Sequence, residues 1–351
     1  MKKLAAHVNP VPVLFVLLSL VALHYSEMRP VFVVSEVITR FIRDGVMVLA
    51  LVIPVNAGMG LNFAIVVGAI CAQVGLVLAV DYGLGGAFGL LFIAVIGVTL
   101  SVVLGALIGR CLNRVRGREM ITTIIIGFLA TSIYQLIFMV GYGTVIKSKN
   151  TEMMLSRGIG IRNMIDLERF RNLLEVIWMV QFGELKIPLF MILLVLMFAL
   201  AVSCLQRTLW GRRMTAAGLQ GERVELLGIS EEAVRRQAIV WSTVIACLGH
   251  ILYIENIGML NVYTAHLNSD VFSCAALLAG GATIARARVR HALIGILLFH
   301  TLFIVSPQAG QNVFGNPALG EYFRSFVAYG TIAVALIFNI RRGEERMEDS
   351  E

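Results

Sequence analysis

The chain has 351 residues, of which 58% are hydrophobic and only 15% are charged. Soluble domains carry about a quarter charged residues, so this composition excludes an ordinary soluble protein and predicts an integral membrane protein. The net charge of +7 comes mostly from arginine clusters between apolar segments. Because these clusters do not form one basic face with interleaved aromatic residues, they indicate membrane orientation rather than nucleic-acid binding. The five cysteines form no CxxC pair and predict neither a disulfide framework nor a metal site.

Apolar segments recur along the whole chain and predict a single all-α transmembrane domain over residues 1–351, with about ten helices and both termini in the cytoplasm. The predicted crossings are Val11 to Leu23, the two halves of Asp44 to Val80, Gly86 to Ile108, Met120 to Val140, Ile187 to Leu205, Ala238 to Ile254, Val271 to Ile284, Ala292 to Ser306 and Phe323 to Ile340. This arrangement places every dense arginine linker on the cytoplasmic side. The exception is the first external loop, which carries Arg29, Arg40 and Arg43.

The two chain ends are predicted as follows. Residues Met1 to Ser26 have the outline of a signal peptide, because Lys2 and Lys3 precede the apolar run, yet no small-x-small cleavage pattern follows it. We therefore expect a retained first helix that enters the membrane from the cytoplasm, with a cleaved signal peptide as the alternative. Residues 341–351 are expected to form a charged cytoplasmic tail.

The apolar run from Asp44 to Val80 is too long for one crossing, since a helix of that length would reach about 55 Å against a hydrocarbon core of about 30 Å. Proline, glycine and asparagine interrupt it between Pro54 and Asn62. These residues leave backbone groups that lipid cannot satisfy, so the break must be buried in protein or line a water-filled cavity. We predict that the second and third helices meet near Asn56 to Gly60.

Three further segments depart from simple membrane crossings. Residues 142–186 are expected to form a long external segment with an amphipathic helix around Leu167 to Phe182. Residues 207–236 form a polar, arginine-rich loop on the cytoplasmic side. Val271 to Ile284 is short for a crossing and contains Gly280-Gly281, which favours a tilted or partly unwound helix.

The centre of the cytoplasmic loop, from Gly218 to Ser230, predicts a short amphipathic helix. Within Glu222 to Leu227, Val224 and Leu227 fall on one face at a spacing of three residues. Such a helix can dock into a groove on a soluble partner. The alternative is an ordinary solvated connector between two membrane helices.

A sharp break is expected directly after this helix. Gly228 can end it in a left-handed conformation, and Ser230 suits the N-cap of the next helix. Glu231 and Glu232 then occupy the first helical turn, where the helix dipole favours acidic side chains.

The sequence contains no catalytic constellation. Lys147-Ser148 lies in the external segment and follows Ile146, where a phosphate-binding loop needs glycine, so we predict no nucleotide site and no enzyme activity in this chain. His250 and Glu255 lack metal-ligand spacing, and we expect a hydrogen-bonded packing pair or a vestibule group. His300 is isolated in the sequence.

Uncharged polar residues inside the predicted crossings are the candidates for a substrate pathway. They are Asn56, Asn62, Gln73, Thr122, Thr123, Tyr134 and Gln135, with Gly58 and Gly60 at the break. Acidic residues and lysine are scarce at mid-membrane depth, whereas secondary transporters coupled to protons or sodium usually need buried acids. This scarcity favours transport driven from outside the membrane. The alternative for each side chain is that it only joins neighbouring helices.

Four stretches carry a family resemblance by their order along the chain. They are Asn56 to Phe63 with Gly68-Ala69, Glu119 to Ile124, Gly218 to Ser230, and Leu278 to Ala282 with Gly295. In this order they resemble the permease subunits of bacterial ATP-binding-cassette importers of the branched-chain amino acid, ribose and simple-sugar type. Glu119 to Ile124 is similar to the Glu-Val-Ile-Thr-Thr-Ile motif of the nucleoside and simple-sugar branch.

Two single positions and one stretch depart from the family pattern. Met59 stands where the family has its second glycine, and Ala64 replaces a usual serine. Arg286-Ala287-Arg288-Val289-Arg290 replaces a glycine-rich turn. These departures concern the substrate more than the mechanism.

The resemblance implies one half of an importer. Two such permeases, identical or related, would form the pathway, two cytoplasmic ATPases would bind ATP and Mg²⁺, and an external binding protein would deliver the substrate, so no cofactor is expected on this chain. The residues implied in ATPase coupling are Gly221, Glu222, Arg223, Val224, Leu226, Leu227, Gly228 and Ser230. The expected location is the bacterial inner membrane.

The expected substrate is a nucleoside or a simple sugar, and other neutral ring metabolites such as a flavin remain candidates. The main rival function is a stand-alone ion-coupled secondary transporter, which would need a buried acidic residue. An intramembrane enzyme would need a paired nucleophile and base, which the sequence lacks.

Overall fold

The computed structural model describes residues 10–156 and 158–348, and the fold is predominantly α-helical. The prediction for Met1 to Ser26 therefore lies outside the described residues over its first nine positions, as does the end of the predicted tail from 349 onward. The helices in chain order are α1 (Pro10–Ser26), α2 (Pro30–Ala50), α3 (Val52–Asn56), α4 (Val66–Asp81), α5 (Gly86–Arg114), α6 (Glu119–Leu136), α7 (Leu189–Arg207), α8 (Leu209–Gln220), α9 (Glu231–Asn256), α10 (Ser269–Ala279), α11 (Val289–Phe314) and α12 (Pro317–Glu348).

Short strands and helical turns complete the fold. The strands are β1 (Met164–Asp166), β2 (Met179–Phe182), β3 (Leu185–Pro188) and β4 (Met259–Asn261). β1 pairs antiparallel with β4, and β2 pairs antiparallel with β3. Turns of 3₁₀ helix precede α4 at Phe63–Ile65 and follow α8 at Gly221–Leu227, and α6 continues as a π-helical turn through Ile137–Gly141.

The core of the bundle lies around α4 and α9. α9 packs on α5, α4 and α2, while α11 packs on α1, α2, α10 and α12. Small residues allow the close approach of α4 and α9, because a Cβ added at Gly68 would lie only 2.6 Å from the carbonyl oxygen of Thr243. Such small-residue contacts replace the hydrophobic driving force that is missing between helices in lipid.

Six helical segments among the described residues are long and apolar enough to cross a membrane. They are Phe63–Asp81, Gly86–Arg114, Glu119–Gly141, Leu189–Arg207, Glu231–Asn256 and Val289–Phe314. The outer surfaces of α5, α6 and α7 are covered with exposed apolar side chains, as expected for helices that face lipid. The chain is therefore a multi-pass membrane protein, and the count of ten crossings stays a prediction.

The second predicted helix begins earlier in the structure than the predicted start at Asp44. This helix begins at Pro30, so Arg40, Arg43 and Asp44 lie inside it rather than in an external loop. The cause is tertiary, because Arg43 Nε donates to Asn256 Oδ1 of α9 at 2.5 Å and the Arg40 guanidinium lies over the Phe303 ring. Paired in this way, charged side chains fit within a helix that packs inside the bundle.

α10 is shorter than the predicted segment Val271 to Ile284. It ends at Ala279, and residues 280–288 form a loop in which Gly281 adopts a φ of +92°. Its 11 residues span about 17 Å, so α10 alone cannot cross a hydrocarbon core of about 30 Å. This agrees with the expectation of a partly unwound segment.

The bundle has two distinct ends. The arginine end carries linkers 115–118, 208–230 and 280–288, and the cap end carries segments 142–188 and 257–268. At the cap end, Gly86 N donates to Arg169 O at 2.9 Å and Leu167 N donates to Gly258 O at 3.0 Å, so the long segment folds back onto the helices.

The amphipathic helix predicted around Leu167 to Phe182 is wrong. Only the 3₁₀ turn Glu175–Trp178 is helical there, and β2 follows it directly. One physical reason is that Leu167 and Phe170 are both buried at the cap end, where the chain packs on the helices. The other is that Asn172 adopts a left-handed φ of +58°, which interrupts an α-helix.

Candidate functional site

The predicted break between the second and third helices is a turn at the arginine end, with Ala57 and Met59 buried and Gly58 exposed. Gly58 and Gly60 adopt φ values of +76° and +68°, which only glycine tolerates easily. Asn62 caps the following 3₁₀ turn by accepting a hydrogen bond from Ala64 N at 3.1 Å. Within the break, Gly58 N donates to Val55 O and Met59 N donates to Pro54 O, both at 3.1 Å, so these backbone groups are paired inside the protein.

Asn56 joins this turn to the loop before α11. Its Nδ2 donates to Ala287 O at 2.8 Å, and its Oδ1 accepts from Ala287 N at 3.1 Å. Ala287 belongs to the arginine stretch that departs from the family pattern, so this stretch forms a defined contact with the break.

α8 is an element that the sequence did not predict, since residues 207–236 were expected to be a loop around one short helix. Thr208 caps it by accepting from Gly211 N at 3.2 Å, and its own side chains of Met214 and Ala217 are buried. Its end touches the break directly, because a Cβ added at Gly218 would lie 2.3 Å from Asn56 O. Two glycine backbones, those of Gly58 and Gly218, therefore meet here without side chains between them.

The predicted docking helix is present as the 3₁₀ turn Gly221–Leu227, which contains Glu222. Val224 is fully buried, whereas Leu227 is 66% exposed, so the prediction that these two share one docking face is wrong. The exposed apolar side chains are instead Leu226 at 89%, Leu227 and Leu219, with Arg223 beside them.

The end of this turn matches the sequence analysis. Gly228 adopts a left-handed φ of +70°, and Ser230 Oγ accepts from Ala233 N at 3.3 Å as the N-cap of α9. Glu231 and Glu232 occupy the first turn of α9. The docking segment is therefore anchored at both ends, by α8 before it and by α9 after it.

The predicted pathway residues fall into two separate groups. Asn56, Asn62 and Thr123 belong to the break, where Thr123 Oγ1 accepts from Phe63 N at 3.2 Å. Gln73 lies eleven residues along the chain from Asn62, or about 16 Å toward the cap end for a helical rise of 1.5 Å per residue. Thr122 belongs to neither group, because its hydroxyl bonds to Arg118 O of its own helix at 2.9 Å.

The second group surrounds the buried amide of Gln73. Gln73 Nε2 lies 3.1 Å from His250 Nε2, and Gln73 Oε1 lies 2.9 Å from His266 Nδ1. Because the amide NH₂ can only donate and the amide oxygen can only accept, His266 Nδ1 carries a proton and His250 Nε2 accepts. α4, α9 and the turn before α10 are thus joined by one hydrogen-bonded chain.

Aromatic side chains extend this group toward the cap end. The Tyr134 ring lies 5.0 Å from the His266 ring and 4.7 Å from Phe138, and Phe138 lies 5.4 Å from Tyr142, all between ring centroids. Gln135 is close by and donates to Tyr263 O at 3.0 Å. Burial raises the pKa of the Tyr142 phenol to about 12 and lowers the pKa of His266 to about 4.

His266 was missed by the sequence analysis because it lies in a turn rather than in an apolar run. His250 and Glu255 do not pair with each other, since Glu255 Oε1 accepts from Leu174 N at 2.7 Å. His300 is not isolated, because its Nε2 lies 3.2 Å from Asp44 Oδ2. Sequence spacing could not reveal this pair, which joins α2 to α11 across more than 250 residues of chain.

None of the described His, Cys, Asp and Glu side chains come together in a group of three or more that could hold a metal ion. What the arrangement can do is mechanical. The exposed apolar segment at the arginine end follows Gly218, which packs against the break between α3 and α4, and that break contacts the second turn of α6 through Thr123. A force applied to the segment therefore has a direct route into the bundle.

Comparison with known proteins gives one family. The family model described as "Branched-chain amino acid transport system / permease component" matches residues 33–336. No curated protein and no solved structure matches the chain.

Proposed function

The chain belongs to the family of permease components of branched-chain amino acid transport systems, and we propose that it is the membrane subunit of an ATP-driven importer. In this role two permeases, identical or related, form the translocation pathway. A cytoplasmic ATPase supplies the energy, and an external binding protein delivers the substrate. The observation that carries the proposal is the exposed leucine segment that follows Gly218, which packs against the break.

The ATPase docks on the segment formed by Leu219, Arg223, Leu226 and Leu227. Exposed leucines on a short anchored turn suit a groove on a soluble partner. Adjacent exposed leucines form an apolar surface patch, and such patches usually mark a protein interface. We therefore expect the partner to cover this patch in the assembled importer. ATP and Mg²⁺ bind to the partner, and this chain has neither an enzyme activity nor a cofactor of its own.

The proposed orientation places the arginine end in the cytoplasm of a bacterial cell and the cap end outside the inner membrane. The arginines of the linkers support this choice through the positive-inside bias. With α1, α2, α10 and α12 contributing to the crossings, both termini lie in the cytoplasm and the count is about ten helices.

The proposed substrate is a small neutral metabolite, most simply a nucleoside or a simple sugar. Two features support this class. Glu119 to Ile124 is similar to the motif of the nucleoside and simple-sugar branch, and the predicted pathway residues Gln73, Tyr134 and Gln135 carry amide and phenol groups rather than carboxylates, which suits a neutral substrate.

Co-purification from native membranes tests the proposal. The tagged chain is extracted in mild detergent, and every accompanying protein is identified by mass spectrometry. We expect a soluble subunit with a phosphate-binding loop. We expect Leu226→Asp with Leu227→Asp to reduce its recovery at least tenfold, because two leucines that become buried on docking contribute about 3 kcal/mol or more. A second variant of the same surface, Glu222→Ala with Leu227→Asp, should abolish ATP-driven uptake and leave membrane insertion intact.

The matched control is Val145→Asp, which places the same charge on an exposed apolar position of the cap end. This variant should recover the soluble subunit as well as the wild type does. If the chain purifies alone and its uptake follows an ion gradient, the protein is a secondary transporter and the proposal is wrong.

A further inference from the structure

A buried cluster of charges lies where the docking segment joins the membrane helices. Arg235, in the second turn of α9, is only 6% exposed and contacts two carboxylates, those of Glu119 and Glu231. Its Nη1 lies 3.4 Å from Glu231 Oε1, and its Nη2 forms a close hydrogen bond with Glu119 Oε1. Glu119 is the first residue of α6, so Arg235 joins the starts of two different helices.

A second arginine completes the cluster. Arg116, in the linker between α5 and α6, has its Nη1 3.2 Å from Glu231 Oε2 and its Nη2 3.7 Å from Glu232 Oε1. The cluster extends from the surface into the protein interior, because Glu232 is exposed while Glu231 and Glu119 are buried. A surface pair contributes little, but a buried pair with well-placed hydrogen bonds fixes one geometry, since separating it leaves an uncompensated charge.

The position of the cluster relates it to coupling. Glu231 follows Ser230, the N-cap that ends the docking segment, so a displacement of that segment moves Glu231 and Arg235 first. The opposite partner, Glu119, begins α6, which packs on the protein with one face and exposes Ile121, Ile125 and Phe128 on its outer face. Its contacts with the break include the hydrogen bond from Phe63 N to the Thr123 hydroxyl and the packing of Met120 beside Gly60.

We infer that Arg235 is a positioning residue for transport, and that its bridge to Glu119 transmits movement of the docking segment to α6. The inference rests on the proposed function, because it requires an ATPase on the docking segment. The bridge is charged and hydrogen-bonded, so it resists sliding more than an apolar contact would. A rigid link of this kind makes the position of α6 depend on whether the ATPase is open or closed.

The experiment uses the complex purified with its ATPase and placed in lipid nanodiscs. A bimane fluorophore is attached at Ile125→Cys on the exposed face of α6, in a Cys111→Ser and Cys204→Ser background, since the remaining cysteines are buried. Bimane emission is compared with ADP and with ATP plus vanadate, and ATP hydrolysis is measured on the same sample. No transport substrate is needed for either reading.

We expect nucleotide to change bimane emission in the starting complex. Glu119→Gln and Arg235→Gln should each reduce that change in emission at least about fivefold, while ATP hydrolysis is retained. About fivefold corresponds to the lower end of typical coupling free energies between two sites. The double variant should be no worse than either single variant, because both remove the same link. Glu232→Gln, an exposed neighbour of the cluster, is the matched control and should keep the full response.

Glu119→Gln keeps the inference testable if Arg235→Gln fails to assemble, because the amide preserves the shape and Arg235 retains Glu231 as a partner. A purely structural role would lower the yield of complex without changing the response per complex. The inference is overturned if nucleotide does not change emission at α6, or if both single variants respond as the wild type does. Failure of the proposed function looks different, because no ATPase then accompanies the chain.

Discussion

The amide of Gln73 is fully buried between His250 and His266, and both of its polar atoms have partners. A buried amide without hydrogen-bond partners costs about 1–3 kcal/mol of stability. Packings in which α4 is shifted against α9 would break these hydrogen bonds and are therefore less stable. At the scale of the residue, the cluster fixes the register of three elements. It also provides neutral hydrogen-bonding groups inside a membrane domain.

The buried imidazole of His266 predicts a pH dependence of stability. Burial lowers the pKa of His266 to about 4 from its usual value near 6.5, so between these values the unfolded chain binds a proton that the folded chain does not. Stability therefore falls as the pH decreases from about 6.5 to about 4, by up to about 1.4 kcal/mol per pH unit. We expect the apparent Tm in detergent to be lower at pH 5.0 than at pH 7.5.

The variant His266→Gln isolates this contribution. Its Tm at pH 7.5 should be lower than that of the wild type, because a contact is changed, but its further decrease at pH 5.0 should be smaller. His24→Gln replaces an exposed imidazole and serves as the control, which should behave as the wild type does. Equal pH dependence of wild type and His266→Gln would contradict the prediction.

At the scale of the element, the turn between α3 and α4 contacts three other segments. Asn56 bonds to the loop before α11, the Gly58 backbone meets α8, and Phe63 N bonds to α6. The α4 helix leaves this junction packed tightly along α9, with Gly68 at the contact. A displacement of any one of these segments therefore changes the contacts of the others, which is the property that a coupling element needs.

Gly68→Ala is predicted to destabilise the domain. The added methyl group would lie 2.6 Å from Thr243 O and 2.7 Å from Ala246 Cβ, so α4 and α9 must separate, at a cost of about 1–3 kcal/mol. We expect a decrease of several degrees in the apparent Tm of the detergent-solubilised protein, measured by the fraction that stays monodisperse after heating.

The same substitution at Gly330 of α12 is the control. A Cβ there meets no atom within 4 Å, and alanine favours a helix over glycine by about 1 kcal/mol. Gly330→Ala should therefore leave Tm unchanged or slightly raised. A Gly68→Ala protein as stable as Gly330→Ala would show that the contact between α4 and α9 is looser than the structure indicates.

At the scale of the whole molecule, charge and apolar surface are separated along the bundle. Arginines gather at one end, a folded cap of short strands covers the other, and apolar side chains of α5, α6 and α7 form the sides. This distribution fits a domain that spans a bilayer, because only the two ends can meet water.

Accessibility to a membrane-impermeant maleimide tests the proposed orientation. In spheroplasts, Ser156→Cys in the cap should be labelled, while Ala285→Cys at the arginine end should not be labelled; both positions are exposed, and both variants carry Cys111→Ser and Cys204→Ser. Inverted membrane vesicles should give the opposite pattern. Labelling of both positions from the same side would contradict the predicted topology.

Local chemistry determined several features from the sequence alone. The composition required a membrane protein, the break at Pro54 to Asn62 could not face lipid, and Gly228 with Ser230 specified the end of one helix and the start of the next. These features follow from rules that act over a few neighbouring residues, such as backbone sterics, capping and the absence of water in lipid. The family membership also followed, because short motifs in order are a property of sequence.

Contacts between distant segments decided the rest. The pairs Asp44 with His300 and Glu119 with Arg235, and the chain from His250 through Gln73 to His266, join residues far apart in sequence. Which face of the docking segment is exposed was also a tertiary outcome, since Val224 is buried by packing and Leu227 is left outside. The spacing of Val224 and Leu227 along the sequence does not determine which of the two is buried. Packing against the surrounding helices determines it.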